Sequence, residues 1–190
     1  MLSEPILVVA RFVQAFNELG IQYLVGGSLA SSVYGVPRAS QDVDLVADLK
    51  LSDADRLQQL LSGEFYVDAE MIRRSVRTEG CFYVIHLATM FKADVFIMRR
   101  DAWSLEEMKR ARSEDLVGPD GPFTVRFASP EDTLLHKLLW YRAGEEVSDR
   151  QCSDILGVRR IQGNDLDDDY LDTWAPKLDV ADLLDRARNG

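Results

Sequence analysis

Three aspartates in strand-like surroundings are the residues of this chain best suited to metal chemistry. Asp42 and Asp44 lie in the alternating segment 41–47 (QDVDLVA), and Asp94 lies in the apolar segment 91–98 (FKADVFIM). Strand side chains alternate between two faces, so Asp42 and Asp44 share a face and repel each other. A partly buried strand keeps such a pair mainly when a cation binds between them. Carboxylate oxygens without a nearby cluster of His or Cys favour Mg²⁺ over Zn²⁺.

The context of the Asp-x-Asp pattern matters more than the pattern, because four copies occur in this acidic chain. Only the copy at Asp42 and Asp44 lies inside a predicted strand. Asp94 is the only acid in residues 81–98, and a lone acid in a core strand is costly unless it is paired or coordinating. The other copies lie at predicted helix starts, where acids interact favourably with the helix dipole: Asp53/Asp55, Asp165/Asp167 and Asp167/Asp169.

A glycine turn supplies a candidate anion site. Gly26 and Gly27 follow the apolar run 23–25 (YLV) and precede Ser28, an order typical of a strand, a turn and a helix start. A helix N-terminus presents free backbone N–H groups to an anion, and Ser28 adds a hydroxyl. Gly-Gly alone is more often only a turn. The signal becomes much more specific because Asp-x-Asp follows about fifteen residues later and a third strand Asp follows that.

The elements that must position these residues are indicated by hydrophobic spacing. It predicts helices over 4–18, 29–34, 52–62 and 102–112, strands over 23–25, 41–47 and 123–127, and an antiparallel hairpin of 81–88 with 91–98. From Pro130 onward the chain is predicted to be helical, over 130–143, 148–161, 167–174 and 179–188. We therefore predict an α/β core over residues 1–128 and a helical C-terminal subdomain over residues 129–190.

Three segments together carry a resemblance to a known family: 24–28 (LVGGS), 42–45 (DVDL) and 93–96 (ADVF). They resemble the nucleotidyltransferase superfamily typified by DNA polymerase beta, and more narrowly small bacterial nucleotidyltransferases that include the AbiEii-type toxin family. The helical segments 130–138 (PEDTLLHKL) and 148–156 (SDRQCSDIL) are similar to that group, with Asp149-Arg150 in the reverse of the usual order. The resemblance covers roughly residues 20–160. It implies an α+β fold, a mixed β-sheet with flanking helices, and a helical C-terminal part that closes the nucleotide cleft.

The resemblance also implies an activity: Mg-dependent transfer of a nucleoside monophosphate from an NTP to a hydroxyl acceptor, with release of pyrophosphate. Two Mg²⁺ ions, with Mn²⁺ as the alternative, would bind Asp42, Asp44 and Asp94, and Asp94 would also help to deprotonate the acceptor. The residues expected to bind the triphosphate are Gly26, Gly27 and Ser28 in the turn, with Lys137 as the first cationic candidate and Arg38 as the second.

The acceptor and the partners stay open at this level. An RNA end or a protein would suit a toxin-type enzyme, whereas a cationic small molecule of the antibiotic type would suit an acidic protein. A non-catalytic module that binds a nucleotide or a partner with the same fold is the other alternative, and an antitoxin-like protein is a possible partner for a toxin. The only basic cluster available for RNA is Arg73, Arg74 and Arg77, for which a solvated helix face is the favoured interpretation.

Composition excludes several broad classes. The chain has 190 residues, of which 46% are hydrophobic and 28% are charged, as in a globular protein. The net charge of −10 argues against broad DNA or RNA binding, which depends on cationic contacts with phosphates. No apolar run has the length of a membrane span, and the N-terminus lacks the features of a signal peptide. A cytoplasmic protein is therefore expected.

Structural interpretations outweigh functional ones for several other conspicuous residues. His86 in an apolar strand is expected to be a hydrogen-bonded core histidine, and Cys81 and Cys152 are expected to be reduced and buried. His136 precedes Lys137, and a position in the cleft lining is its less favoured interpretation.

Overall fold

The computed structural model describes residues 4–118 and 120–189, and within them seven strands form one sheet. The strand order across the sheet is β3-β4-β5-β2-β1-β7-β6. Two neighbouring pairs, β1 with β7 and β2 with β5, are parallel, and the other neighbours are antiparallel. The strands are β1 (Tyr23–Val25), β2 (Asp42–Ala47), β3 (Phe65–Tyr66), β4 (Cys81–His86), β5 (Lys92–Ile97), β6 (Arg112–Gly118) and β7 (Gly121–Phe127).

Up to Phe127 the helices are interspersed with the strands along the chain, and from Pro130 to Asn189 only helices and a 3-10 turn follow. Several begin at side-chain caps: Ser129 Oγ accepts a hydrogen bond from Asp132 N, and Ser148 Oγ accepts one from Gln151 N. The helices are α1 (Glu4–Leu19), α2 (Gly27–Tyr34), α3 (Ala54–Leu61), α4 (Ala69–Thr78), α5 (Ala102–Arg110), α6 (Pro130–Ala143), α7 (Asp149–Gln162), α8 (Asp168–Trp174) and α9 (Ala181–Asn189), with 3-10 turns at Leu51–Asp53 and Gly163–Asp165.

The central strands bury one face completely and the other only in part. Along β2 and β5 the residues alternate between buried and half-buried, as the period of a strand requires. The buried face joins the main core, which also contains Phe12 and Phe16 of α1 and Leu57 of α3. On the other face, Leu24 of β1 packs with Met108 of α5 in a smaller cluster. The three predicted site aspartates lie on this second, less covered face.

The structure confirms the predicted fold class, a mixed sheet with flanking helices and a helical C-terminal part. The hairpin of β4 and β5 is antiparallel as predicted. Along the described residues β7 is the last strand of the chain, and the helices α6 and α7 that follow it pack against α2. The division of the chain near residue 128 into two domains stays a prediction.

Two expectations were wrong. Strand β6 (RSEDLVG) was missed, because it is an edge strand with mostly exposed side chains and so has no hydrophobic period. Cys81 is exposed rather than buried, because it lies on the open face of β4, and Cys152 is only half-buried. His86 is buried, and its Nδ1 lies 2.9 Å from Thr89 Oγ1, as expected of a core histidine. Among the described helices, none is both long and apolar enough to cross a membrane.

Candidate active site

The parallel pairing of β2 with β5 brings the predicted aspartates together. In this register Asp44 lies opposite Asp94, and Asp42 lies opposite Lys92. All four side chains are half-buried and share the open face, since the residues between them on each strand belong to the core. Asp42 also accepts a hydrogen bond at Oδ1 from Ser40 Oγ, at 3.1 Å. Residues separated by some fifty positions in the sequence therefore form one acidic surface.

Asp44 lies where the negative charge is most crowded. Burial first, and then the charges of Asp42 and Asp94, raise its pKa to about 6, while the charges of Lys137 and Lys92 act against this shift. A carboxylate with this environment favours either a proton or a nearby cation. That a cation stabilises the Asp42/Asp44 pair stays a prediction.

Lys92 supplies part of that positive charge and was missed in the sequence. Its Nζ lies 2.6 Å from Asp94 Oδ2, two residues along the same face of β5. The hydrogen bond to Asp94 raises the pKa of Lys92, and the charges of Asp94, Asp42 and Asp44 add to this effect. The signal available in the sequence was the period of two that places residue 92 beside residue 94.

The donor set suits a hard divalent cation. Three carboxylates provide oxygen ligands, which Mg²⁺ prefers, and the pKa of Asp44 is raised by burial first and by the charges of the other two second. As the side chains stand, no three His, Cys, Asp or Glu residues in the described part of the chain are close enough together to hold a metal ion. The residues thus fit Mg²⁺ in chemistry, and binding would require these side chains to draw together.

The glycine turn lies directly against Asp44. Gly26 N donates a hydrogen bond to the backbone oxygen of Asp44 at 2.9 Å, which ties the turn to β2. Gly27 has φ +58, and a Cβ at this position would lie 1.7 Å from Asp44 Oδ2. Helix α2 begins at Gly27, two residues earlier than the sequence indicated, so its first turn, with free N–H groups, starts at the residue that lies against Asp44. Only glycine permits this close approach.

Ser28 belongs to a network of charged residues that draws on the helical part of the chain. Arg38 Nη2 donates to Ser28 Oγ at 3.0 Å, while Arg38 Nε and Nη2 both donate to Asp154, each at 2.8 Å. Lys137 Nζ lies 2.7 Å from Asp154 Oδ2. The two predicted cations, Lys137 and Arg38, are therefore brought together on Asp154, and Arg38 connects them to the glycine turn through Ser28. Asp154, which the resemblance had only placed in a helical segment, is the residue that joins them.

His136 is partly exposed and pairs with a buried acid. Its Nε2 lies 2.8 Å from Glu107 Oε1, and its ring lies 4.6 Å from the ring of Trp103. Burial lowers the pKa of His136, but Glu107, Asp132 and Asp44 raise it more, so the net shift is upward. The contribution of Asp44 places this histidine within electrostatic reach of the acidic surface.

The basic cluster on α4 is already neutralised in part. Arg73 forms ion pairs with Asp55 and with Glu70. This agrees with the favoured interpretation of the cluster as a solvated helix face and weakens its candidacy as an RNA contact.

Structural comparison identifies the class of fold. The chain superposes on the crystal structure of an antigenic nucleotidyltransferase-like protein from Paracoccidioides brasiliensis with a TM-score of 0.50 and 22% identity, over 80% of this chain and 72% of that one. It superposes on the crystal structure of ANT(2'')-Ia in complex with adenylyl-2''-tobramycin with a TM-score of 0.50 and 13% identity, over 96% and 97% of the two chains. The fold is therefore that of the nucleotidyltransferase superfamily.

Sequence comparison adds no closer relationship. No protein-family profile matches the chain, and the comparison with curated proteins gives no significant match. The narrower resemblance to the AbiEii-type toxins stays a prediction, as do the roles of the individual site residues.

Proposed function

We propose that this protein is a nucleotidyltransferase that moves a nucleoside monophosphate from an NTP to a hydroxyl acceptor and releases pyrophosphate. One observation carries the proposal: the register that places Asp44 opposite Asp94, with the glycine turn against Asp44. A face that gathers three carboxylates next to a helix N-terminus and two cations suits a metal-bound triphosphate. The fold of the superfamily supports the same conclusion.

The metal would be held by Asp42, Asp44 and Asp94. When bound, Mg²⁺ supplies charge stabilisation at the α-phosphorus and at the oxygens of the attacking and leaving groups. Burial and the neighbouring charges of Asp42 and Asp94, which together raise the pKa of Asp44, support binding of a divalent cation at this face. We extend the same expectation to Mn²⁺, which accepts the same oxygen ligands.

The β- and γ-phosphates would bind at the start of α2. The free N–H groups of its first turn and the hydroxyl of Ser28 offer hydrogen bonds, and the helix dipole favours negative charge there. Arg38 and Lys137 add positive charge next to Ser28. Their combined charge exceeds that of Asp154, so this side of the site stays net positive beside the acidic surface.

Asp94 would take the proton of the acceptor. In the transfer, a bond forms between the acceptor oxygen and the α-phosphorus, the bond from that phosphorus to the bridging oxygen breaks, and pyrophosphate leaves. The proton of the hydroxyl would pass to the carboxylate of Asp94, which lies on the open face opposite the exposed Tyr83 of β4. Lys92, whose Nζ lies 2.6 Å from Asp94 Oδ2, would hold that carboxylate in place before the acceptor arrives.

Among acceptors we favour a small hydroxylated molecule over an RNA end or a protein. The net charge of −10 and the paired state of Arg73 leave little positive surface for a polynucleotide. ANT(2'')-Ia, whose structure contains adenylyl-2''-tobramycin, has the same type of fold with a small acceptor. A toxin-type activity and an antitoxin-like partner remain hypotheses that rest on the sequence resemblance alone.

The decisive experiment is incubation with each labelled NTP, Mg²⁺ and a total cell extract, followed by separation of small molecules, RNA and protein. Label retained in the small-molecule fraction, with pyrophosphate release, supports the proposal. Label in RNA or protein supports the toxin alternative. Nucleotide binding that is independent of Mg²⁺ and produces no pyrophosphate with any acceptor indicates a non-catalytic module instead.

The matching variant is Asp44→Asn. Loss of a direct metal ligand is expected to lower pyrophosphate release by about 100-fold or more, since even partners of such ligands cost 10–100-fold. Asp165→Asn, an exposed acid from another Asp-x-Asp pattern, is the control and is expected to keep wild-type activity. An Asp44→Asn protein as active as the wild type would rule out this site as the catalytic centre.

A further inference from the structure

Asp154 is a buried acid of α7 that has no place in the transfer reaction described above. Its side chain is only 4% exposed, and it receives three charged hydrogen bonds from two residues on different elements. Arg38 reaches it from the loop between α2 and β2, and Lys137 reaches it from α6. A buried carboxylate costs free energy unless it is paired in this way. These two hydrogen-bonding cations lower its pKa despite its burial.

The geometry of Arg38 shows what Asp154 does for the site. Two nitrogens of the guanidinium, Nε and Nη2, lie against the two oxygens of Asp154, and this planar fork fixes the orientation of the whole group. Nη2 is thereby aimed at Ser28 Oγ, at 3.0 Å. A second anchor holds the backbone of the same loop residue, because Arg38 N donates to Ser32 Oγ at 3.3 Å.

The consequence for Ser28 follows from the hydrogen-bonding capacity of a hydroxyl. A serine hydroxyl has one proton to donate and two lone pairs to accept. Guanidinium nitrogen only donates, so Ser28 Oγ accepts from Arg38, and its own proton is left to point elsewhere. At the first turn of α2 that proton and the free backbone N–H groups are available to the same anion.

We propose that Asp154 is a positioning residue that acts through Arg38 to fix the Ser28 hydroxyl as a donor for the polyphosphate, while holding Lys137 beside it. The inference rests on the proposed function, since it says how the residues that would bind the triphosphate are held in their orientation. It also assigns a task to α7: this helix orients the phosphate-binding turn without contacting the substrate.

A binding experiment without acceptor tests this positioning role. Binding of inorganic tripolyphosphate in the presence of Mg²⁺ is measured by calorimetry for the wild type, Ser28→Ala, Asp154→Asn and the double variant. We expect each single variant to bind about tenfold more weakly, as for the loss of a charge-assisted hydrogen bond. In the double variant the second change is expected to cost less than about threefold, because both remove the same oriented donor.

Two further variants separate positioning from folding. Asp154→Glu keeps the charge and is expected to recover part of the affinity, whereas Asp169→Asn, an exposed acid of α8, is expected to bind as the wild type does. If Asp154→Asn does not fold, Arg38→Lys is used in its place, because it keeps the positive charge and lacks the fork. The double-variant cycle with Ser28→Ala is then expected to give the same non-additivity.

Additive effects of Ser28→Ala and Asp154→Asn would overturn the inference, and so would wild-type affinity in Asp154→Asn or no tripolyphosphate binding by the wild-type protein. Failure of the proposed function has a different signature. Coupled tripolyphosphate binding without any pyrophosphate release from an NTP would uphold the positioning role and contradict the transferase activity.

Discussion

At the scale of single residues, Asp44 is the one whose charge matters most to the candidate site. Its carboxylate lies among the acids Asp42 and Asp94, and burial raises its pKa first of all. Lys92, which lies on the same strand as Asp94, partly offsets the negative charge of these acids. Such an arrangement costs stability in the protein alone and favours a divalent cation. The environment of Asp44 is therefore better explained by a role in binding a cation than by a contribution to the stability of the fold.

Gly27→Ala is expected to destabilise the protein by about 2–5 kcal/mol. The left-handed backbone costs an L-residue about 1–2 kcal/mol, and overpacking adds about 1–3 kcal/mol, because the new Cβ would lie 1.7 Å from Asp44 Oδ2. Chemical denaturation measures the loss of unfolding free energy.

Gly20→Ala is the control for that measurement. Gly20 has φ +66, but a Cβ there meets no atom within 4 Å, so only the backbone penalty of about 1–2 kcal/mol is expected. Equal losses for the two variants would contradict a tight contact between the turn and Asp44.

At the scale of elements, α6 begins in a buried polar network that ties it to α5 and α8. Asp132 is fully buried and accepts hydrogen bonds from Tyr170 OH at 2.6 Å, Ser129 Oγ at 2.7 Å and Trp103 Nε1 at 3.1 Å. Burial first, and then the charge of Glu107, raise its pKa to about 6, although the hydrogen bonds from Tyr170 and Ser129 act against this shift. This network fixes the helix that carries His136 and Lys137 toward the site.

The raised pKa of Asp132 gives a pH dependence of definite sign. Its pKa is higher in the folded than in the unfolded protein, so its contribution to stability is complete below about pH 4 and declines as the pH rises to about 6. Asp132→Asn keeps an acceptor for Tyr170 and Trp103 and does not ionise. Relative to the wild type, its unfolding free energy is expected to improve by about 2 kcal/mol between pH 4 and pH 7. Urea denaturation at both pH values measures this, and a constant difference would contradict it.

The packing of α2 against α7 depends on a glycine at the end of α2. A Cβ on Gly35 would lie 2.8 Å from Ser31 O and 2.9 Å from Val158 N, both of them backbone atoms that cannot turn away. Gly35→Ala is expected to destabilise the protein by about 1–3 kcal/mol, measured as a lower denaturation midpoint.

Gly157→Ala is the comparison on the facing helix. There the nearest atom, Val36 N, would lie 3.3 Å from the new Cβ, and the gain in helix propensity of up to about 1 kcal/mol offsets the tight contact. We expect its stability to be within about 1 kcal/mol of the wild type. If Gly35→Ala were equally mild, the two helices would not be in close backbone contact.

At the scale of the whole molecule, the site joins charges of opposite sign from distant parts of the chain. The acidic surface comes from β2 and β5, and the cationic side comes from the loop after α2 and from α6 and α7. Under the proposed function, a metal-bound triphosphate would complement both sides at once. Its binding is therefore expected to stabilise the fold as a whole.

Mg²⁺ together with the cognate NTP is expected to raise the midpoint of thermal unfolding by about 5–10 °C. At a ligand concentration of about 100 times Kd the gain is about 2.7 kcal/mol, and 1 kcal/mol corresponds to about 2–4 °C for a chain of this size. Differential scanning fluorimetry measures the shift, which EDTA or Asp44→Asn should abolish. An equal shift in the presence of EDTA would argue against a metal-dependent site.

The amino-acid sequence alone predicted the fold class and the local part of the site. Alternation places Asp42 and Asp44 on one face, and the order of the glycine turn and the three aspartates indicates the superfamily. These are short-range signals, because they depend on the period of a strand and on the conformations of glycine. Strand β6 was not predicted, because an exposed edge strand is held by backbone hydrogen bonds, which leave no hydrophobic pattern in the sequence.

Only the tertiary structure decided which residues complete the site. The pairing of Asp44 with Asp94 required the parallel register of β2 and β5. The contact between Arg38 and Asp154 spans 116 residues, and its geometry follows from how α7 packs on α2 rather than from any local preference. Charged side chains far apart in sequence have no periodicity that relates them. Their meeting is set by the burial of apolar faces elsewhere, which brings the helices and the sheet together.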